Sequence, residues 1–249
     1  MTARSAPGIV IGTAGWAIPR LFRDSFPEAG TLLERYSARF AVAEINSSFH
    51  RAHMPSTYER WARSTPSGFR FAVKVPKVIT HQQALASAEQ ELDRFLGECR
   101  ALGDKLGPLL VQLPPKRELD VRVAGEFFTV LRARFAGDVV CEPRHASWFT
   151  AEAGELLSSF RVARVAADPA RVPEAAEPGG WDGVAYYRLH GAPRIYWSSY
   201  SDEARNALAR LLLSHVARGV SAWCIFDNTA SGAATGDALD TMRRTESAR

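Results

Sequence analysis

The chain has 249 residues, is 46% hydrophobic and 23% charged, and carries a net charge of +4, a balance that suits one soluble globular domain and excludes a disordered, low-hydrophobicity chain. No apolar run reaches the length needed to span a membrane, so no membrane partner is expected. Lys occurs only at 74, 77, 105 and 116, so 27 of the 31 cations are Arg; such compositional drift makes the basic balance weak support for nucleic acid, which stays an open partner.

In chain order, 9–13 predicts a β-branched strand ending in Gly12, Thr13, Ala14, Gly15 and Trp16. No Gly-Lys-Ser/Thr follows, so this is not a phosphate loop. Leu32, Leu33, Tyr36 and Phe40 have helical spacing. Residues 41–46 predict the second strand, with Val42, Glu44 and Asn46 on one face. Residues 47–51 read as a loop, and Pro55 as a helix start. Residues 69–74 predict the third strand, with Lys74 at its end and His81 beyond. A helix through Leu92, Phe95, Leu96 and Cys99 precedes a break at Gly107 and Pro108. The fourth strand is expected over 109–113, and a helix through Phe127, Phe128 and Leu131 follows.

The fifth strand, 139–144, runs from apolar residues straight into Glu142 and Arg144, which share one face at period two. The sixth is expected over 162–167, ending at Asp168, and 170–180 reads as a loop. The seventh, 184–189, carries Arg188 with His190 just beyond on one face. The eighth, 222–226, ends in Asp227 and Asn228. Residues 1–8 and 243–249 are expected to be flexible ends of a single domain over 1–249. Three cysteines far apart (99, 141 and 224) argue against a disulfide framework or zinc site, and with no signal-peptide core the expected compartment is the reducing cytoplasm.

Eight strands alternating with helices predict parallel pairing, and about 250 residues is the size of one (β/α)8 TIM-like barrel. An open doubly wound sheet is the alternative. The barrel is favoured because polar residues gather at the C-terminal ends of strands two to eight, which a barrel brings to one face.

Several motifs carry a family resemblance: Glu-Ile-Asn-Ser-Ser-Phe at 44–49, Thr65-Pro66 with Phe69, Phe71 and Lys74, and Lys-Leu-Gly-Pro-Leu-Leu-Val-Gln-Leu-Pro-Pro at 105–115. Thr80-His81, Glu142 with Arg144, His145, Ser147 and Trp148, and Arg-Leu-His-Gly at 188–191 complete them. Together they resemble the YecE-like domain-of-unknown-function family, number 72 in that series. The resemblance implies a TIM-like barrel and a polar pocket of Glu44, Asn46, Lys74, Glu142, Arg144, Arg188, His190 and Asn228; it implies no activity. Pro143, His50 and Asp227 depart from the family pattern, and Asp227 adds a carboxylate.

Glu44 and Glu142 are the candidate acid/base carboxylates, with His190 as proton donor or orienter. The competing reading locks each glutamate into an ion pair. Lys74, Arg144 and Arg188, with Arg51 a further candidate, suit a bidentate grip on phosphate or carboxylate. Asn46, Asn228 and Trp16 complete the candidate substrate-binding set. Phe49, Trp148 and Tyr196 are further candidates for stacking, against the plainer reading of loop packing. The leading function is an enzyme of hydrolase or isomerase type acting on a small anionic substrate, a phosphorylated sugar or a phosphodiester. A metal-dependent phosphodiesterase or nuclease, and a non-catalytic ligand- or partner-binding module, are the alternatives. No residue is assigned to a metal and no cofactor is expected, a divalent ion entering only with the metal-dependent alternative; oligomeric state is not legible.

Overall fold

A computed structural model describes residues 7–247. Its strands are β1 (Ile9–Ala14), β2 (Val42–Ile45), β3 (Arg70–Lys74), β4 (Leu106–Gln112), β5 (Val139–Glu142), β6 (Val162–Arg164), β7 (Ala166–Asp168), β8 (Gly179–Gly180), β9 (Val184–Leu189) and β10 (Ser221–Phe226). They form one sheet in the order β7-β9-β10-β1-β2-β3-β4-β5-β6-β8. All pairings are parallel except β6 with β8. The helices between them are α1 (Leu32–Ser37), α2 (Ser47–His50), α3 (Pro55–Arg63), α4 (Glu89–Cys99), α5 (Val121–Arg134), α6 (Ala151–Ser159), α7 (Asp202–Ala217) and α8 (Ala233–Ser247). The architecture is a TIM-like barrel.

The sixth stave closes it. The sequence reads 162–167 as one strand; the chain divides it at Val165, so that β6 pairs with β5 and β7 with β9. Val165 lies buried in the barrel interior, and its N–H donates to the Cys141 carbonyl at 2.8 Å.

Period-two alternation sorts the strand residues into two cores. Val42, Ala72, Leu110, Val140, Ala163, Val184, Tyr186, Trp223 and Ile225 fill the barrel interior. Ala43, Ile45, Phe71, Val73, Leu109, Val111, Val139 and Cys141 face the helices. Burying each large apolar side chain contributes roughly 1.5–3 kcal/mol. Thr31 and Glu34 form a capping box that starts α1, and Pro55 at its first turn starts α3. At Gly12 a Cβ would lie 2.1 Å from the Val42 carbonyl oxygen and 3.0 Å from Tyr36 Oη. The missing side chain admits the buried Tyr36 hydroxyl, which accepts from Thr13 N at 2.8 Å and donates to Val42 O at 3.0 Å.

Four expectations are corrected. β4 begins at Leu106, so Gly107 and Pro108 lie inside a strand and not in a break. Gly107 is needed there because a Cβ would meet Trp223 Cη2 at 2.8 Å and Phe71 O at 3.0 Å. Within 47–51 the chain makes one helical turn, α2. The 170–180 loop contains a 3-10 turn, Pro173–Ala176, and the short strand β8. Residues 243–247 are not frayed: α8 runs to Ser247, with Arg244 donating to Asp202 and Asp240 at 2.6 Å each. At the other end, Gly8 O accepts from Ala222 N at 2.9 Å. The remaining expected flexible positions, 1–6 and 248–249, lie outside the described residues.

Candidate functional site

Arg188 is the hub of the barrel mouth. It stands at the C-terminal end of β9 on the inner face shared with Tyr186, and it is completely buried. A guanidinium taken out of water must find anions, because desolvation alone would cost more than the fold can supply. Three strands provide them. Nε and Nη2 donate to Glu44 of β2 at 3.1 and 2.7 Å, Nη1 donates to Glu142 of β5 at 2.6 Å, and Nη2 also donates to Asp227, just past β10, at 2.9 Å. Of the five N–H groups that an arginine carries, four are therefore committed to carboxylates.

The carboxylates are themselves shared. Tyr186 Oη donates to Glu44 Oε2 at 2.9 Å. Arg144 reaches Glu142 Oε1 through Nε at 2.9 Å and Nη2 at 2.8 Å. His190 stands between two acids, Nδ1 at 3.0 Å from Asp227 Oδ2 and Nε2 at 3.2 Å from Glu142 Oε1. Carboxylates only accept, and a neutral imidazole donates from one nitrogen, so two such contacts require the imidazolium. Burial opposes that charge, but Glu142 and Asp227 outweigh it and raise the His190 pKa. Burial likewise opposes ionisation of Glu142 and Asp227, and the Arg188 charge above all, with His190, holds both below the usual carboxylate range.

Lys74, on the inner face of β3, differs. Its Nζ lies 4.2 Å from the Phe49 ring centroid and has no hydrogen-bond or ion-pair acceptor among the described residues. Burial and then the Arg188 charge depress its pKa to about 8, against the pull of Glu44, Glu142 and Asp227. His81, 5.0 Å from Phe49 ring to ring, is lowered by burial and then by the charges of Lys74, Arg144, Arg117 and Lys77. With His190 protonated the mouth holds four cations (Arg188, Arg144, Lys74, His190) against three carboxylates (Glu44, Glu142, Asp227).

The structure thus brings Glu44, Glu142, His190, Arg144, Arg188 and Lys74 to one mouth. Asn46 follows β2 at the same end, with a buried Oδ1 that has no partner. Others lie elsewhere. Asn228 is fully buried but turned outward, its Nδ2 donating to Ser198 O at 2.8 Å and Asp237 Oδ2 at 2.7 Å, so it fastens the 191–200 loop to α8. Trp16 packs edge-on against Trp61 at 5.1 Å and Phe71 at 6.2 Å, in the layer outside the barrel. Trp148 is core, its indole donating to Arg117 O. His145 caps the turn 146–149 through Ser147 N. Asp168 accepts from the Tyr200 hydroxyl at 2.8 Å. Arg51 lines a separate hollow of about 230 Å³ between α2, residues 76–82 and α4, which shares Phe49 with the mouth but none of Glu44, Glu142 and Asp227.

Sequence reasoning gave no site role to two members: Asp227, noted only as an added carboxylate, and Tyr186. The period-two count that selects Arg188 and His190 selects Tyr186 as well, and Trp223, Ile225 and Asp227 share an inner face by the same count. Among the described residues, no three His, Cys, Asp or Glu side chains are arranged to hold a metal ion; the position between the acids is filled by the Arg188 guanidinium. No helix among the described residues is long and apolar enough to cross a membrane.

The family model described as protein of unknown function DUF72 matches residues 10–249. UPF0759 protein YecE of Escherichia coli K12 is 32% identical over 106 residues, which is 43% of this chain and 38% of YecE. UPF0759 protein YunF of Bacillus subtilis 168 is 28% identical over 163 residues, 62% of this chain and 57% of YunF. The chain thus matches less than two thirds of the length of either relative. A DUF72 family protein from Thermotoga maritima MSB8 has the same fold, with a TM-score of 0.78 at 23% identity over 96% of this chain and 99% of that one. Another, from Enterococcus faecalis V583, superposes with a TM-score of 0.79 at 18% identity, over 96% of this chain and 95% of the other.

Proposed function

This chain belongs to the DUF72 family, and we propose that its barrel mouth binds a small anionic substrate, a phosphorylated sugar or a phosphodiester, and transfers a proton on it. The observation that carries this reading is the charge balance. Four cations meet three carboxylates in a nearly dry site, and the unmatched cation is Lys74. A bound anion completes the neutrality that the protein leaves open. Arg144 is the natural grip: it holds Glu142 through Nε and Nη2, also bonds Tyr196, and is only partly buried, so a ligand oxygen entering the mouth can reach its guanidinium. Arg188 takes a different role from the one its charge first suggests. With four N–H groups on carboxylates, it positions Glu44, Glu142 and Asp227. Glu142 and His190, 3.2 Å apart, form the proton-handling pair; a buried imidazolium beside a carboxylate can give a proton to a leaving oxygen and take it back.

Thermal stability followed during a phosphate titration tests the reading. A ligand bound only by the native state raises stability by mass action, by about 2.7 kcal/mol at a hundred times Kd. The melting temperature of the native protein should rise at millimolar phosphate, and the rise should be lost in Arg144→Ala and reduced in Lys74→Met. It should also shrink as pH climbs through about 8, where Lys74 sheds its charge. No rise at millimolar phosphate in the native protein abandons the proposal.

A further inference from the structure

The carboxylates of the mouth all turn towards arginine or histidine. Glu44 binds Arg188 and Tyr186, Glu142 binds Arg188, Arg144 and His190, and Asp227 binds Arg188 and His190. Lys74 stands among them and receives none. Its neighbours are Glu44 from β2, Glu142 from β5, Arg188 from β9, Asp227 past β10, and His81 from the turn after β3. Its Nζ rests on the Phe49 ring. An amine withdrawn from water beside another cation, with no acceptor for its protons, is the arrangement that favours a nucleophilic lysine.

We propose that Lys74 is an amine nucleophile, and that the anionic substrate carries a carbonyl group with which Nζ condenses to an imine. This rests on the anion reading above for the handle: Arg144 holds the anionic group while the carbonyl carbon faces Nζ. The neutral amine adds to that carbon, and the carbonyl π pair moves to oxygen. Proton transfer from nitrogen to oxygen gives the carbinolamine. Loss of water then needs one proton at the departing hydroxyl, which the His190 imidazolium supplies. The product is the protonated imine plus water, with no oxidant or reductant consumed. A substrate with a carbonyl close to a carboxylate or phosphate, such as an α-oxo acid or an aldehyde phosphate, fits both groups.

Burial and Arg188 support the same conclusion. At a pKa of about 8, roughly a tenth of Lys74 is neutral at pH 7, against roughly 0.03% of an ordinary lysine, about a 300-fold gain in nucleophile. Phe49 favours the ammonium by roughly two- to thirty-fold, less than the gain of about 300-fold, so it weakens this and does not reverse it.

The chain has four lysines, which makes the test readable. The full-length protein is incubated at pH 7 with glyoxylate and cyanoborohydride, which reduces any imine to a stable secondary amine, and the adduct is mapped by peptide mass over Lys74, Lys77, Lys105 and Lys116. The expected result is labelling of Lys74 at least ten-fold faster than of the other three, rising through a midpoint near pH 8 and slowed by phosphate. Even labelling of all four, or labelling of Lys74 no faster than in the urea-unfolded chain, overturns the proposal; that comparison needs no variant. Lys74→Met, which keeps the stem and removes the unmatched charge, should show only the slow background of the other three. Propionaldehyde separates the two readings. Fast Lys74 labelling by both aldehydes without phosphate protection upholds the nucleophile and sinks the anion handle. A phosphate-induced rise in melting temperature with Lys74 inert to both sinks the nucleophile alone.

Discussion

Replacing Arg188 by Met removes the hub while keeping an unbranched, apolar stem. The magnitude follows from what each carboxylate has left. Glu142 keeps Arg144 and His190, and Asp227 keeps His190. Glu44 keeps only the Tyr186 hydroxyl at 2.9 Å, and it is fully buried. The variant therefore leaves Glu44 buried with no hydrogen-bonded cation, and breaking a buried pair in this way costs about 3–5 kcal/mol. That is a large share of the roughly 5–15 kcal/mol total of a typical domain. The pH dependence separates this account from a simple packing loss. In the native protein Glu142 and Asp227 have lowered folded pKa values. Their stabilisation is present above the unfolded values near 4 and is lost only as pH falls through the folded ones. In the variant, the buried Glu44 carboxylate costs stability only in its charged form, so acid that neutralises it relieves the penalty. The gap between native and variant should therefore narrow from pH 7.5 to pH 5. Urea denaturation at both pH values measures it, and adding Glu44→Gln to Arg188→Met should recover part of the loss at pH 7.5. A gap under about 1 kcal/mol at pH 7.5, or an equal gap at both pH values, refutes the reasoning.

Tyr186→Phe deletes one donor to Glu44 while both Arg188 contacts remain, so urea denaturation should show a loss of about 1–2 kcal/mol with no change in secondary structure. Gly12→Ala forces a Cβ against the Val42 carbonyl oxygen and should cost about 3 kcal/mol or more as β1 and β2 part; Gly68→Ala, where a Cβ meets nothing within 4 Å, should stay within about 0.5 kcal/mol in the same assay.

Strand alternation made the barrel legible, because residues 42 and 44, 72 and 74, 140 and 142, and 186 and 188 must share faces whatever else the fold does. The same count brought Glu44, Lys74, Glu142, Arg188 and His190 to one end. Their pairing was not legible. Which carboxylate reaches which cation depends on the staggering of strands around the barrel, and that stagger is a property of closure and not of any one strand. Hence Arg188 read as an anion grip, although it is enclosed by acids. Asn228 and Trp16 follow their strands by a residue or two, where the chain turns and period two stops holding, and both point out of the mouth. Gly107 and Pro108 look like punctuation by composition; only the close approach to Trp223 and Phe71 shows why a strand passes through them.

The guanidinium at the hub joins chain segments that lie far apart in sequence: its acceptors are 144, 46 and 39 residues away. Such contacts form after local structure, since each requires a long loop to close first. The brace can assemble only once β2, β5, β9 and the end of β10 have come together, so it belongs to the last steps of folding and to the first that unfolding must undo. An interaction missing from the transition state acts on the unfolding rate and leaves the folding rate nearly unchanged. Arg188 is in that sense a latch on the finished barrel, holding its lifetime while contributing little to how fast it is made.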